Sequence, residues 1–514
     1  MGNSDTFTPG DGCLLEVTKY CRTISSCPHG GGCREHSRVP IVIYANVLLI
    51  LGCALSAQSR AQSSSGRESR VDGEYINQHA NCSLPDSTPL SLTDVMGLAL
   101  CNSPKSRGSW AALRAQGLQL RVDLGAYLPT VSADGGIGLD HTGTSVPEVP
   151  FYDSNVKAQG RKAELKFNLV LLDFGQRAAK VEHDRALVAA AAASQDETFQ
   201  EVLLNAGQTY YDTVDAIALL DSTKMVETIS QDSYIVTKAR YDAGAGVITD
   251  VLQAQTAYLQ SKVKRETADG DSAIAHGNLA LQIGLAADTF YTLRDPAGSD
   301  SVVDAELEPA NVLIAAAEKA NPKVVAAIAK LSAAEADIKA AVALGKPTIG
   351  LLAQVSRQEQ LLRGENNLFS FTQTPASNVT RDRQVNLEFS IPVFNGFSHR
   401  YGIQQANAQA AASKAQLQDT KQQLDLEVWT AYQSVKTQTQ KIRETAELLA
   451  VAHQSYNASL ERYRVGSGSI LDVLSAQSAV ANADEQRIEA VSNWRIAKLK
   501  LAASLGDLGL WLTE

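Results

Sequence analysis

Arg240–Gln255 reads RYDAGAGVITDVLQAQ, and Arg462–Gln477 reads RYRVGSGSILDVLSAQ. Laid over one another without a gap, the two stretches share Arg, Tyr, both glycines, Ile, Asp, Val, Leu, Ala and Gln in register, which is the signature of an internal repeat. In each copy a glycine pair, Gly244 with Gly246 and Gly466 with Gly468, interrupts a long run rich in Ala, Gln and Glu. Glycine supplies backbone angles that other residues resist, so each stretch predicts a tight connection between two antiparallel helices. Asp250 and Asp472 then fall in the first turn of the returning helices, where a carboxylate meets the positive end of the helix dipole. Two readings of these acids stand side by side: charge-stabilised helix starts, or a ring of acids at a pore mouth.

Moving outward from the turns, no proline occurs from about Gln176 to Tyr241 or from about Ser398 to Tyr463. At 1.5 Å per residue these predict rods of about 100 Å, far longer than a globular domain needs. The returning helices are expected to reach about Leu285 and Leu505. One thin hairpin cannot bury both faces of such rods, so they should pack beside copies from other subunits.

Upstream of each rod the period changes from helical to two. Leu165, Phe167, Leu169 and Leu171 alternate with Lys166 and Asn168; Val385, Leu387, Phe389, Ile391 and Val393 alternate with Asn386, Glu388 and Ser390. Val131, Ala133, Ile137 and Leu139, and Ile349, Leu351, Ala353 and Val355, supply the partner strands. One apolar and one polar face over about 10 residues fits a transmembrane strand, and equally a half-buried soluble sheet. Polar loops are expected at about Thr144 to Gly160 and about Glu359 to Arg383. The smallest closed membrane barrels have about 8 strands, and an open sheet in lipid leaves edge amides unsatisfied. Four strands per chain therefore require an oligomer, and three copies of four would make twelve. The hairpins leave through Asp173-Phe174-Gly175 and Asn395-Gly396-Phe397. They are preceded by helices starting at Ser91-Leu92-Thr93-Asp94, which has capping-box spacing, and at Ser103-Pro104 and Asn321-Pro322, with Pro at a first helical position.

The net charge of −10 argues against a nucleic-acid partner, because phosphate binding needs a concentrated basic face. Val39–Ala57, an apolar run behind Arg34 and Arg38, reads as a secretory signal. Ile50-Leu51-Gly52-Cys53 resembles a lipoprotein box, with cleavage after Ala57 or Ala61 and a retained anchor as alternatives. The lead of 38 residues before it is unusually long for such a signal, and an initiator assigned too far upstream is one explanation. Nothing later is apolar for long enough to span a bilayer as a helix. Of the seven cysteines, Cys13, Cys21, Cys27, Cys33 and Cys53 precede residue 60. With His29 and His36 the first four fit no standard zinc spacing. Cys82 and Cys101 flank the first helix. Bridged in an oxidising compartment, they would close a loop of about 20 residues and contribute about 3 kcal/mol; unpaired, they are two small apolar residues. The expected division is 1–61 leader and signal peptide, 62–90 an unstructured N-terminal segment, 91–290 first repeat, 291–308 linker, 309–508 second repeat, and 509–514 tail.

The order helix, strand hairpin, long helix, glycine turn, helix, all of it twice, resembles the TolC family of outer-membrane exit ducts over about Leu92 to Leu508. The carrying motifs are Tyr-x-x-Gly-x-x-x-Ile-x-Asp-Val at Tyr241–Val251 and Tyr463–Val473, and Asn321-Pro322. The resemblance implies a mixed fold of mainly long α-helices. Three chains would form a twelve-stranded outer-membrane β-barrel, continued by an α-helical barrel through the periplasm. It also implies a constricted end at the glycine turns, where an adaptor protein contacts the tips and an inner-membrane pump lies beyond. Family gates link an Asp of the first turn, matching Asp250 beside Thr249, to a Tyr and an Arg of the second. Tyr463 matches, but Gly468 stands at the Arg position, leaving Arg240 or Arg464 as substitutes. The family's selectivity ring uses two acids one helical turn apart; Asp472 matches the first, and Ser475 stands at the second. The Cys82 and Cys101 pair resembles the CyaE-like branch serving type I protein secretion with an ABC pump. Small-molecule efflux is the alternative cargo class.

No GxxxxGK[ST] loop, nucleophile elbow or HExxH stretch occurs, and Gly466–Ser469 lacks the phosphate-binding lysine. No enzymatic activity or cofactor is expected, and His183, His276, His399 and His453 are expected on solvated helix faces. Export energy must come from a partner. An envelope coiled-coil spacer is the alternative of another class, but it requires neither lipid-facing hairpins nor a doubled turn.

Overall fold

The computed structural model describes residues 89–144, 147–148, 154–294, 307–366 and 376–508, all within one compact unit, Ala80–Glu514. The leader, the signal run, the early cysteines, Cys82 and the C-terminal tail lie outside the described residues. The first half runs α1 (Leu92–Asn102), α2 (Pro104–Gly125), β1 (Thr130–Thr144), β2 (Ser154–Leu172), α3 (Gln176–Asp242) and α4 (Ile248–Gln282). The second runs α5 (Ala310–Ala320), α6 (Pro322–Ala343), β3 (Thr348–Asn366), β4 (Ala376–Ser390), α7 (Ser398–Arg464) and α8 (Ile470–Leu505). α2 and α6 have 22 residues each, and α3 and α7 have 67 each. No described helix is long and apolar enough to cross a membrane.

Local chemistry sets the helix starts. Ser91 caps α1, its hydroxyl accepting from Asp94 N while the Asp94 carboxylate accepts from Ser91 N at 2.9 Å. Ser103 and Asn321 cap α2 and α6 ahead of Pro104 and Pro322. The Asn321 amide also donates to Ser504 O at 2.8 Å, and Asn102 donates to Ile283 O at 2.9 Å. In both halves, therefore, an Asn before the strand-bound helix closes the end of the returning one. The largest core lies here, with Met96, Val202, Ala206, Tyr210, Leu279 and Ile283 buried together. Gly207 lets Leu499 and Met96 pack against the rod: a Cβ there would sit 2.6 Å from Leu499 Cδ1. Cys101, on α1, is disulfide-bonded.

The four strands form one antiparallel sheet in the order β1-β2-β3-β4, so β2 and β3 join the halves while β1 and β4 are free edges. Register produces the two expected faces. Val131 lies opposite Phe167, Phe167 opposite Ala353, and Ala353 opposite Val385, an apolar row across all four strands. The next row, Ser132, Lys166, Gln354 and Gln384, is polar. On that polar face Glu164 is buried between Lys162 at 2.6 Å and Lys166 at 3.4 Å.

The strands run further than their apolar alternation predicts. Ser154–Gly160, Glu359–Asn366 and Ala376–Arg383, expected as loop, continue the ladders. Hydrophobic period reports only the part of a strand that contacts an apolar medium, whereas backbone pairing goes on past it. Conversely, β4 ends at Ser390, before Ile391 and Val393.

Each hairpin turns into its rod through two consecutive left-handed residues, Phe174 (φ 51) with Gly175 (φ 103) and Gly396 (φ 65) with Phe397 (φ 66). Arg177 closes the first exit. Its Nε meets Asp173 at 2.8 Å, Nη1 donates to Val170 O at 2.8 Å and Ala126 O at 3.2 Å, and the guanidinium covers the Tyr127 ring at 4.6 Å.

Just below, Lys180 pairs with Asp123 at 2.8 Å, and Asp123 shares a hydrogen bond with Asp184, which is 4 % exposed. The Asp184 and Lys180 hydrogen bonds hold the Asp123 carboxyl well below its usual range. Burial, then the neighbouring Asp123, pushes Asp184 up to about 6.

Three of the four expected solvated histidines are partly buried instead. His183 pairs with Asp337 across helices at 2.9 Å, His276 meets the Tyr291 ring at a tilt with centroids 5.2 Å apart, and His399 packs over Gly345; of the four only His453 is exposed. Each rod is flanked by more than one neighbour, so less of its surface meets water than a two-helix hairpin would leave.

Candidate functional site

The glycine turns end the long hairpins, and the two glycines of each pair do different jobs. Gly244 (φ 73) and Gly466 (φ 81) take the left-handed angle that ends the rod. They donate to Tyr241 O at 2.9 Å and Tyr463 O at 3.0 Å, while the next residues, Ala245 and Ser467, donate to Arg240 O and Arg462 O. Gly246 and Gly468 are required by proximity: a Cβ would lie 3.2 Å from Tyr241 N in the first turn and 3.0 Å from Tyr463 N in the second. α4 then starts without a side-chain cap, whereas Ser469 caps α8 by accepting from Leu471 N at 3.1 Å.

The second turn is the better buried. Tyr463 is 6 % exposed, against 42 % for its counterpart Tyr241, and packs with Ile470 and Val473. Arg240 ties the first turn to it, donating Nη1 to Tyr463 O at 2.7 Å with its guanidinium 4.7 Å above the Tyr463 ring. The Tyr463 hydroxyl donates to Thr237 Oγ1 at 3.4 Å. Of the two candidate substitutes for the absent gate arginine, Arg240 thus meets Tyr463, while Arg464 pairs with Glu461 on its own helix at 2.9 Å.

Asp250 and Asp472 both lie in the first turns of their helices. Asp250 is partly exposed, and Thr249 and Asp472 are exposed. The structure does not bring Asp250 into a hydrogen bond or ion pair with Tyr463 or with any other described side chain. Ser475, three residues after Asp472, lines a groove of about 610 Å³ between α4 and α8 over α3, with Leu252, Thr256, Leu474 and Asn482.

The sequence reading missed two further ties. Gln477 donates to Ser230, and Ser222 to Asp484, both linking α3 to α8. Gln477 belongs to the repeated motif, but so does Gln255, and nothing in the pattern says which copy is used. Arg265 pairs with Glu227 at 2.6 Å across the first hairpin.

A family model described as outer membrane efflux protein matches residues 95–285 and 313–507. Protein CyaE of Bordetella pertussis is 27 % identical over 421 residues, 82 % of this chain and 85 % of that protein. Outer membrane protein TolC of Escherichia coli is 23 % identical over 427 residues, 81 % and 82 % of the two chains. The fold is similar to that of a crystal structure of CusC, with a TM-score of 0.65 at 18 % identity over 82 % of this chain and 95 % of that one. Since the family model takes in most of both repeats, the chain belongs to the outer membrane efflux protein family, channel proteins of the outer membrane whose long helices extend into the periplasm.

Proposed function

We propose that three copies of this chain form a passive exit duct of a tripartite export system for type I protein secretion. The observation that carries this reading is the four-stranded sheet with an apolar face and two free edges, β1 and β4. Unpaired edge amides in hydrocarbon each cost several kcal/mol, so β4 of one copy pairs with β1 of the next. The turn end meets a periplasmic adaptor through Gly244, Gly246, Gly466 and Gly468, and beyond it an inner-membrane pump of the ABC type. In this reading Tyr463, held by Arg240, closes the aperture with Asp250 and Thr249, while Asp472 and Ser475 form the ion-selective ring. Residues 91–290 and 309–508 are the two repeats joined by the linker 291–308, with 1–61 and 62–90 preceding them and 509–514 following.

Likeness to CyaE supports protein cargo. The family description supports a second reading, a small-molecule efflux duct. The test has two stages. Cell fractionation should yield an outer-membrane oligomer that dissociates on heating; a soluble monomer would reject the duct. A deletion strain should then lose an exported protein from its supernatant, whereas drug sensitivity with an unchanged supernatant would replace protein secretion with efflux.

A further inference from the structure

The apolar row of β4 does not stop where pairing stops. Val385, Leu387 and Phe389 are exposed at every second position, and Ile391 and Val393 continue the alternation past the strand. Phe394 follows, 75 % exposed, meeting the Phe397 ring edge-on at 5.5 Å. Phe397, just before α7, and Tyr401, in its first turn, are 58 % and 65 % exposed. Aromatic side chains at this level of a barrel sit where hydrocarbon gives way to headgroups.

Two exposed cations lie at this level of the fold, Arg400 at the second exit and Lys346 between the two exits. Arg400 is exposed in the first turn of α7, and no described residue pairs with its guanidinium. A cation there opposes the helix dipole, so the stability of α7 does not explain it. Lys346 follows Gly345, over which the His399 ring lies so close that a Cβ would collide with it. The Lys346 ammonium is exposed and reaches only Phe174 O, at 3.4 Å. No described carboxylate pairs with Lys346 or Arg400. At the corresponding first exit, Arg177 is instead consumed by Asp173 and two carbonyls.

We propose that the second hairpin exit binds an anionic glycerophospholipid of the periplasmic leaflet. Arg400 holds its phosphate, Lys346 adds positive charge from the side of the first exit, and its acyl chains lie along Val393, Phe394 and Phe397. The apolar band of β4 leads directly into the site, and the unpaired charge has the sign that a headgroup phosphate requires.

The full-length oligomer, reconstituted in nanodiscs of phosphatidylcholine with a minor fraction of phosphatidylglycerol, tests this through the lipid retained after mild delipidation, read by native mass spectrometry. Wild type should retain phosphatidylglycerol in excess of its mole fraction, and Lys346→Ala and Arg400→Ala should each lower that excess about fivefold. Arg464→Ala, whose cation sits at the opposite end, should leave it unchanged. Equal retention by the double variant, or displacement by millimolar inorganic phosphate, overturns the proposal. A Phe397→Trp variant should be quenched by brominated phospholipid, and an unquenched indole would mean that a second copy of the chain covers this face.

Discussion

The two halves of the chain match in helix length almost residue for residue, yet they spend their polar groups differently. At position 20 of the 22-residue helices the first half has Asp123 and the second has Ala341. At position 9 of the 67-residue rods the residues are Asp184 and Ala406. The first half thus buries a carboxyl pair against Lys180 where the second has two half-buried alanines. At the turns the asymmetry reverses, because the second turn is capped and buried and the first hangs on it through Arg240. A duplicated scaffold keeps its lengths because packing against a neighbouring rod demands them, while each half is free to place its charge where only one copy needs it.

Removing Arg240 attacks this contrast most directly. Arg240→Ala deletes a charge-assisted hydrogen bond and a cation–π contact, together about 2 kcal/mol. If that energy holds the aperture, open-state occupancy in planar bilayers should rise about thirtyfold. Its counterpart Arg462 has no side-chain partner among the described residues, and Arg462→Ala should change little. Equal effects from the two variants would show that the turns are held alike.

Asp184→Asn sharpens the comparison at the other end. The folded pKa of Asp184, about 6, lies above the 3.8 usual for an aspartate, so the folded state holds this proton more tightly. The stability it contributes is complete below about pH 4 and is lost as pH rises through about 6. Asparagine keeps a donor for Asp123 without the ionisation. The variant should therefore gain about 1–3 kcal/mol at pH 7 and show a flatter thermal-unfolding profile between pH 4 and 7. Unchanged pH dependence would remove the pair as its source.

Gly468→Ala should destabilise by about 1 kcal/mol through backbone crowding, and Gly246→Ala by less, since its approach is looser. Hydrogen exchange at the two turns would read the difference, and the reverse order would contradict the geometry. The smallest effect belongs to the proposed ring. Asp472→Asn should lower cation preference in single-channel recordings and Ser475→Asp should raise it, each by well under a tenfold ratio because solvent screens exposed charges.

Elements whose signal is periodic or punctuated were legible in the residues. Paired glycines marked the turns, Ser91, Ser103-Pro104 and Asn321-Pro322 marked helix starts, and alternation at 165–171 and 385–389 marked the sheet. Strand ends were not, because polar residues such as Gln159, Gln360 and Arg381 pair through their backbones as well as apolar ones do. The candidate site was half legible. The motif put Asp250 and Asp472 on the first turns, but it carried no sign that Arg240 rather than Arg464 reaches Tyr463. That choice depends on which rods lie side by side. The same holds for His183 with Asp337 and for Asp123 with Asp184, partners far apart in sequence whose meeting leaves no local trace.

The bends at the hairpin exits carry a lesson for reading duplicated proteins. Phe174-Gly175 and Gly396-Phe397 steer the chain through the same left-handed pair of angles with the two letters exchanged. The direction of travel is shared although the spelling differs. A comparison that scores identities would record two mismatches at a corner where the two backbones bend alike, so relatives of this chain are better sought by where their backbones turn than by what they carry at the corner.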